Sequence, residues 1–381
     1  MTSPDDRSAT GGVTPVLAHF DRRALLLGAG ALLSTRPAQG QVLRASLRDI
    51  AARSGRLYGA AIEPQSVERD AAFRALVKAQ CGLLTPENAM KWNALRPRPG
   101  VFDFGPADRV VAIARSQAAL VHGHCLVWHE ALSPWTQSAL RSGLSPGAAR
   151  GLMVDHIRQV VGRYRGKIGS WDVINEPVER NDRRPDGLRR SPWLETIGPS
   201  YLALAFHTAR AADPHAKLAL ADYGLEYDDE PWMQEKRATM LQVLRGLKAS
   251  GAPIDALSIQ GHLLGDRPPA FGAGLSVFLR EVAALGLDIH VTELDVNDQT
   301  MAGSVAERDR TSALIYRRFL DTALAQPAVR SVTTWGLSDR YTSKSVMFAR
   351  ADGAPVRPLP FDARLAPKLS ALTIAQAFGS A

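Results

Sequence analysis

Gly169-Ser170-Trp171-Asp172-Val173-Ile174-Asn175-Glu176-Pro177 is the stretch on which the fold turns. Its apolar run is short, as a buried strand's is, and it ends in an amide and a carboxylic acid. Outward from it the same pattern recurs. Candidate strands are Leu57–Ala61, Gly82–Thr85, Ala119–His124, Gly169–Ile174, Lys217–Asp222, Ile254–Gln260, Asp288–Glu293 and Ser331–Gly336. Between them, Ala71–Ala79, Pro146–Tyr164, Pro199–Ala212, Trp232–Ser250, Gly274–Leu285 and Val305–Ala325 carry apolar residues at three- and four-residue spacing, the period of amphipathic helices. Strand alternating with helix implies parallel strands. Eight such units in about 340 residues suit a closed barrel, so the expected class is α/β, a single (β/α)₈ TIM barrel. An open doubly wound sheet is disfavoured, because no Gly-rich dinucleotide fingerprint follows the first strand. No internal repeat or low-complexity linker marks a second domain.

The 381 residues include 45% hydrophobic and 22% charged residues, enough to bury a large core without disulfides or metals. The net charge of +8 is spread along the chain with no dense Lys/Arg tract. That reads as a solvated surface with at most a weak pull toward acidic, uronate-decorated polymers, and no motif supports nucleic-acid binding. Cys81 and Cys125 form no CxxC and no Cys/His cluster, so no structural metal site is expected, and no cofactor is implied. Two buried thiols and a single disulfide both remain open.

Near the start, Asp21-Arg22-Arg23 precedes the apolar run Ala24–Leu33. A membrane span needs roughly 20 apolar residues, and this run has ten, which suits the core of a signal peptide. The paired arginines resemble a twin-arginine export signal, with small residues near Ala38 for cleavage. An uncleaved membrane-surface helix is the alternative. The expected organisation is an export segment over 1–40 and one catalytic barrel over 41–381, periplasmic or extracellular, monomeric, with no membrane association once mature.

Polar and aromatic residues gather at the C-terminal ends of the candidate strands: Glu87 and Asn88, His122 and His124, Asn175 and Glu176, Gln260 and His262, Glu293, and Trp335. In barrel enzymes that rim carries the chemistry. A Glu that ends a buried strand must be paired, neutral or functional, since a lone buried charge is costly. Two such Glu residues, 176 and 293, match the need of glycoside hydrolysis for one protonated and one ionised carboxyl group across the scissile bond.

Six ordered motifs carry a resemblance. They are Thr85-Pro86-Glu87-Asn88-Ala89-Met90-Lys91-Trp92, Gly123-His124-Cys125-Leu126-Val127-Trp128-His129, Trp171–Pro177, Ile259-Gln260-Gly261-His262, Thr292-Glu293-Leu294-Asp295 and Thr334-Trp335-Gly336-Leu337-Ser338-Asp339. Together they resemble glycoside hydrolase family 10, mostly endo-β-1,4-xylanases, over nearly the whole chain from about Leu57. The resemblance implies Glu176 as acid/base, Glu293 as nucleophile, retention of configuration, and carboxyl groups roughly 5–5.5 Å apart. It implies that His262 hydrogen-bonds Glu293 and is oriented by Asp295. Asn175 is expected on the sugar 2-OH with Gln260 near the same ring, His124 and Lys91 on the nonreducing side of the cut, and Glu87 and Asn88 on the next sugar outward. Trp128 and Trp335 are expected to line the cleaving subsite, and Tyr223 to stack on the departing side. Trp92, Trp171 and Trp193 are expected in the core, and Lys91 on a helix face.

Two departures stand out. The family usually has a second Trp where Ser343 lies, and commonly Asn where Ala221 and Gly224 lie. The first opens the roof of the cleft; the second removes hydrogen bonds around the leaving-group sugar. A polysaccharide of the xylan type is the expected partner. The alternatives are another β-1,4-glycan or aryl β-bioside, separated by assays on xylan and carboxymethyl cellulose, and a non-catalytic sugar-binding barrel.

Overall fold

A computed structural model describes residues 43–381; the expected export segment and its paired arginines lie outside the described residues. Among the described residues nine strands form: β1 (Leu57–Ile62), β2 (Leu83–Pro86), β3 (Leu120–Gly123), β4 (Ser170–Asn175), β5 (Lys217–Asp222), β6 (Ala256–Ile259), β7 (His262–Leu264), β8 (Asp288–Asn297) and β9 (Val329–Thr334). All neighbouring pairs are parallel. β1 to β6 run side by side, β6 pairs with β8, β8 with β9, and β9 with β1, which closes an eight-stranded barrel. Helices fill the connections, so the fold is the expected (β/α)₈ barrel.

Each barrel strand overlaps its sequence candidate. The helices at Ala71–Gln80, Pro146–Arg163, Tyr201–Ala212, Pro231–Ala249, Ala273–Ala284 and Val305–Leu324 fall where the periodicity put them. Their ends follow local chemistry: Asp70 and Ser145 accept backbone N–H groups as N-caps, and Ser304 with Glu307 closes a capping box.

Two expectations are corrected. Glu293 does not end its strand but lies inside the ten-residue β8, because β7 extends the pairing by opposing His262 to Asp295 and Leu264 to Asn297. Lys91 is not on a helix face; it is the residue before the short helix Trp92–Leu95. Cys81 caps the helix Ala71–Gln80 and Cys125 follows β3; both are buried and free, so the disulfide alternative falls away.

The core holds Trp92, Trp171 and Trp193 as expected. Trp92 stacks on His156 with centroids 3.7 Å apart, and Trp193 donates its indole N–H to the Trp128 carbonyl at 3.1 Å. That bond ties the segment bearing Trp128 to the core. At Gly123, just below His124, a Cβ would sit 2.1 Å from the Trp171 ring, so only glycine lets β3 and β4 approach this closely.

Candidate active site

The C-terminal ends of the strands open on one cleft of about 610 Å³. Glu176 and Glu293 both line it, together with Glu87, Asn88, Lys91, His124, Trp128, Asn175, Tyr223, Gln260, His262 and Trp335. Of the rim and site residues singled out in the sequence, Asp295 and His122 stand behind this surface, both buried.

Glu293 is 5% exposed. The β7–β8 register brings His262 and Asp295 side by side, and His262 bridges forward to the carboxylate. Its Nε2 donates to Glu293 Oε2 at 3.2 Å, and its Nδ1 lies 3.1 Å from Asp295 Oδ1. Lys344 Nζ lies 3.2 Å from the other Asp295 oxygen. Burial would push the Glu293 carboxyl up, but the His262 hydrogen bond and the nearby His124 and His262 rings outweigh it and hold Glu293 below the usual range. Burial works against a charge on His262 as well; the Asp295 carboxylate reverses this and raises the imidazole to about 9. The second oxygen, Glu293 Oε1, has no hydrogen-bond partner among the described residues and lies 4.0 Å from His124 Nδ1.

His124 is fixed from beneath. Its Nδ1 lies 3.0 Å from Asp172 Oδ2, which also meets His122 Nε2 at 2.8 Å, while Ser258 donates to Oδ1 at 2.7 Å. Burial opposes the Asp172 charge, yet the two imidazoles hold this carboxyl well below the usual range. Asp172 belongs to the quoted 169–177 stretch, but its role as the anchor under the cleft floor was not read from it.

Glu176 sits in a different setting. It is partly exposed and has φ 55, a left-handed conformation that side chains rarely adopt and that functional sites tend to hold. Its N–H donates to the Ala221 carbonyl on β5, and Arg189 Nε donates to its own carbonyl at 2.9 Å. Its carboxyl group is met by amides: Gln260 Nε2 donates to Oε1 at 2.9 Å and Asn175 Nδ2 at 3.5 Å. The same cleft therefore holds a carboxylate whose charge is favoured and whose Oε1 lacks a hydrogen-bond partner among the described residues, and a second carboxyl group that amides position.

Also lining the cleft, Lys91 Nζ stands 5.4 Å from the Trp128 ring and 5.7 Å from Trp335, and donates to Asn88 Oδ1 at 3.0 Å. Asn88 in turn donates to Glu63 at 2.7 Å. Burial pushes the Glu87 carboxyl up, while the Ser343 hydroxyl and the Lys91 and Lys344 cations work the other way.

Tyr223 lines the cleft wall. Its ring lies under Lys236, with Nζ 3.5 Å from the centroid, and near Arg189. Its hydroxyl accepts from Arg189 and donates to Glu179, both at 3.0 Å. These contacts hold Tyr223 in the wall. The sequence reading also passed over Arg189, Glu226 and Lys344. Glu226 is buried and accepts the N–H groups of Leu225 at 2.7 Å and Gly261 at 2.9 Å, pinning the turn that carries His262. Among the described residues, no group of three or more His, Cys, Asp or Glu side chains is placed to hold a metal ion, and no helix is long and apolar enough to cross a membrane.

Known proteins resemble this chain over most of its length. Endo-1,4-beta-xylanase A of Fusarium oxysporum f. sp. lycopersici is 36% identical over 272 residues, 70% of this chain and 79% of its own. Beta-1,4-xylanase of Dictyoglomus thermophilum is 35% identical over 305 residues, 78% and 82% of the two chains. Among solved structures, xylanase 10B from Thermotoga maritima superposes with a TM-score of 0.79 at 29% identity, covering 88% of this chain and 98% of that one. Xylanase 10B from Thermotoga petrophila in complex with xylobiose gives 0.79 at 29% identity, with 90% and 99% covered. The model of glycosyl hydrolase family 10 matches residues 46–377, and the chain belongs to that family.

Proposed function

We propose that this chain is a retaining endo-1,4-β-xylanase in which Glu176 is the acid/base and Glu293 the nucleophile. The observation that carries the assignment is the contrast between the two carboxyl groups. Glu293 is buried against an imidazole that favours its charge, and its Oε1 has no hydrogen-bond partner among the described residues. Glu176 is partly exposed and its carboxyl group is held by amides.

In the first step Glu293 Oε1 attacks the anomeric carbon while Glu176 gives its proton to the glycosidic oxygen. The C–O bond to the leaving sugar breaks, and the glycosyl unit remains as an ester of Glu293. The negative charge of Glu293 has then been consumed in the ester. Glu176 takes a proton from water, the hydroxide attacks the same carbon from the opposite face, and the ester bond breaks to restore both carboxyl groups. Two inversions give net retention. His262, fixed by Asp295, keeps the Glu293 charge in place and aimed, and Asn175 and Gln260 hold the Glu176 carboxyl by its Oε1.

The test is a pair of variants on xylan, with carboxymethyl cellulose as the control glucan. Glu176→Ala should lose about 10²- to 10⁴-fold on xylan and far less on an aryl xylobioside whose phenol departs without a proton. Glu293→Ala should lose activity on both, and products of the unaltered enzyme should keep the β configuration at first release. Full hydrolysis by either variant, or α-configured products, would overturn the assignment. The same reading includes a monomer, checked by light scattering, and export through Arg22-Arg23, checked by whether an Arg22→Lys/Arg23→Lys variant stays in the cytoplasm.

A further inference from the structure

Where the family commonly carries Asn, this chain has Gly224, and the structure gives that change a consequence. Gly224 follows β5 with φ +68, and a Cβ there would lie 2.4 and 2.6 Å from two carbons of the six-membered ring of Trp232. The indole edge occupies the space a side chain would take. Trp232 sits in the first turn of the helix Pro231–Ala249, directly after Pro231, so its backbone is held by a regular element. It is nevertheless 38% exposed, high for an indole anchored in this way.

Its position follows from the chemistry. The sugar that departs lies on the Glu176 side of the cut, because Glu176 protonates its oxygen. Arg189 ties the Glu176 carbonyl to the Tyr223 hydroxyl, so Tyr223, Gly224 and Trp232 extend the wall in the direction of departure. Trp232 and Tyr223 also border a neighbouring pocket of about 350 Å³, lined further by Glu179, Arg180, Asn181 and Lys236, so they stand where the two hollows meet. Tyr223 is engaged by Lys236 and Arg189. Trp232 is the exposed indole on this side of the cleft.

We infer that Trp232, seated by Gly224, is the stacking platform for leaving-side sugars beyond the one that departs, and sets a preference for longer chains. Pyranose faces are apolar and lie flat on indoles, and an aromatic contact offsets the hydrogen bonds lost with the Asn. The inference rests on the xylanase reading above and specifies a subsite of that same cleft.

The test compares kcat/KM on xylo-oligosaccharides of rising length with that on an aryl xylobioside, whose leaving group ends at the phenol. Trp232→Ala should lower kcat/KM on the longer oligosaccharides by about 2- to 10-fold, mainly through KM, and leave the aryl xylobioside unchanged. Trp232→Phe should recover part of the loss. Gly224→Asn keeps a residue that tolerates positive φ, displaces the indole, and should reproduce the length-selective loss without touching Trp232. Unaltered rates on long substrates in Trp232→Ala and Gly224→Asn would overturn the inference, and so would an equal loss on the aryl substrate. Absence of xylan hydrolysis in the unaltered enzyme would instead overturn the xylanase reading.

Discussion

Removing the His262 imidazole should shift the pH range in which the enzyme works, not only its rate. His262 Nε2 donates to Glu293 Oε2 at 3.2 Å, and Asp295, 3.1 Å from Nδ1, keeps the ring protonated by raising it to about 9. The bond is therefore charge-assisted, a class worth about 1.5–3 kcal/mol. The ring is 29% exposed, and solvent screens part of the interaction, so the lower half of that range, roughly 1.5–2 kcal/mol, applies. That corresponds to about a 10- to 30-fold change in the balance between ionised and protonated Glu293. The sign follows from the nucleophile's chemistry. Only ionised Glu293 attacks, and its carboxyl is held below the usual range in the folded enzyme, so activity is lost as pH falls through it. In His262→Ala the carboxyl rises, and the acid limb of kcat/KM moves toward neutral pH. The assay is kcat/KM on an aryl xylobioside with an acidic phenol, where proton donation by Glu176 contributes little. It is run from about pH 3 to pH 8, with preincubated enzyme to separate inactivation from titration. A variant whose plateau falls while its acid limb stays in place would refute the electrostatic argument and leave His262 an orienting role alone.

Ser343→Trp should restore an aromatic roof beside Glu87 and Lys344, raising kcat/KM on plain xylan by about 2- to 10-fold relative to branched xylan; an unchanged ratio would sink the idea that the open roof favours decorated chains. Asp298→Ala should destabilise the fold by about 3–5 kcal/mol in urea unfolding, because Arg308, 2% exposed and 2.6 Å from Asp298, would be left as a buried charge without its carboxylate. Adding Arg308→Met should recover much of that loss, and a double variant no more stable than the single one would refute the account.

The barrel was legible because its signals are local. A strand buried on both faces needs a short apolar run, and a helix packed outside it needs an apolar stripe; both can be counted along the chain. The C-terminal helix Leu369–Gly379 escaped because it is apolar nearly all round and shows no stripe, whereas Gly105–Ser116 did carry one at Ala107, Val110, Val111 and Ala114 and was simply passed over. β7 escaped for another reason: three residues, His262–Leu264, make a strand only because β8 runs on to Asn297 beside them. The same division holds in the cleft. Residues that face it from strand ends carry their own signature, a polar side chain where an apolar run stops. Residues that act from behind do not. Lys344 reads as one more solvated cation, yet it closes on Asp295 from the short helix Lys344–Met347, nearly fifty residues further along the chain. Glu226 lies two residues past Gly224 with no signal of its own, and its buried carboxyl clamps the Gly261 turn. Gly224 was read as a loss of hydrogen bonds because nothing in the sequence places it against Trp232, eight residues on. A departure from a family pattern thus states only which contact has gone; what took the vacated space is decided by packing between elements, and that is where the specificity of this cleft has to be sought.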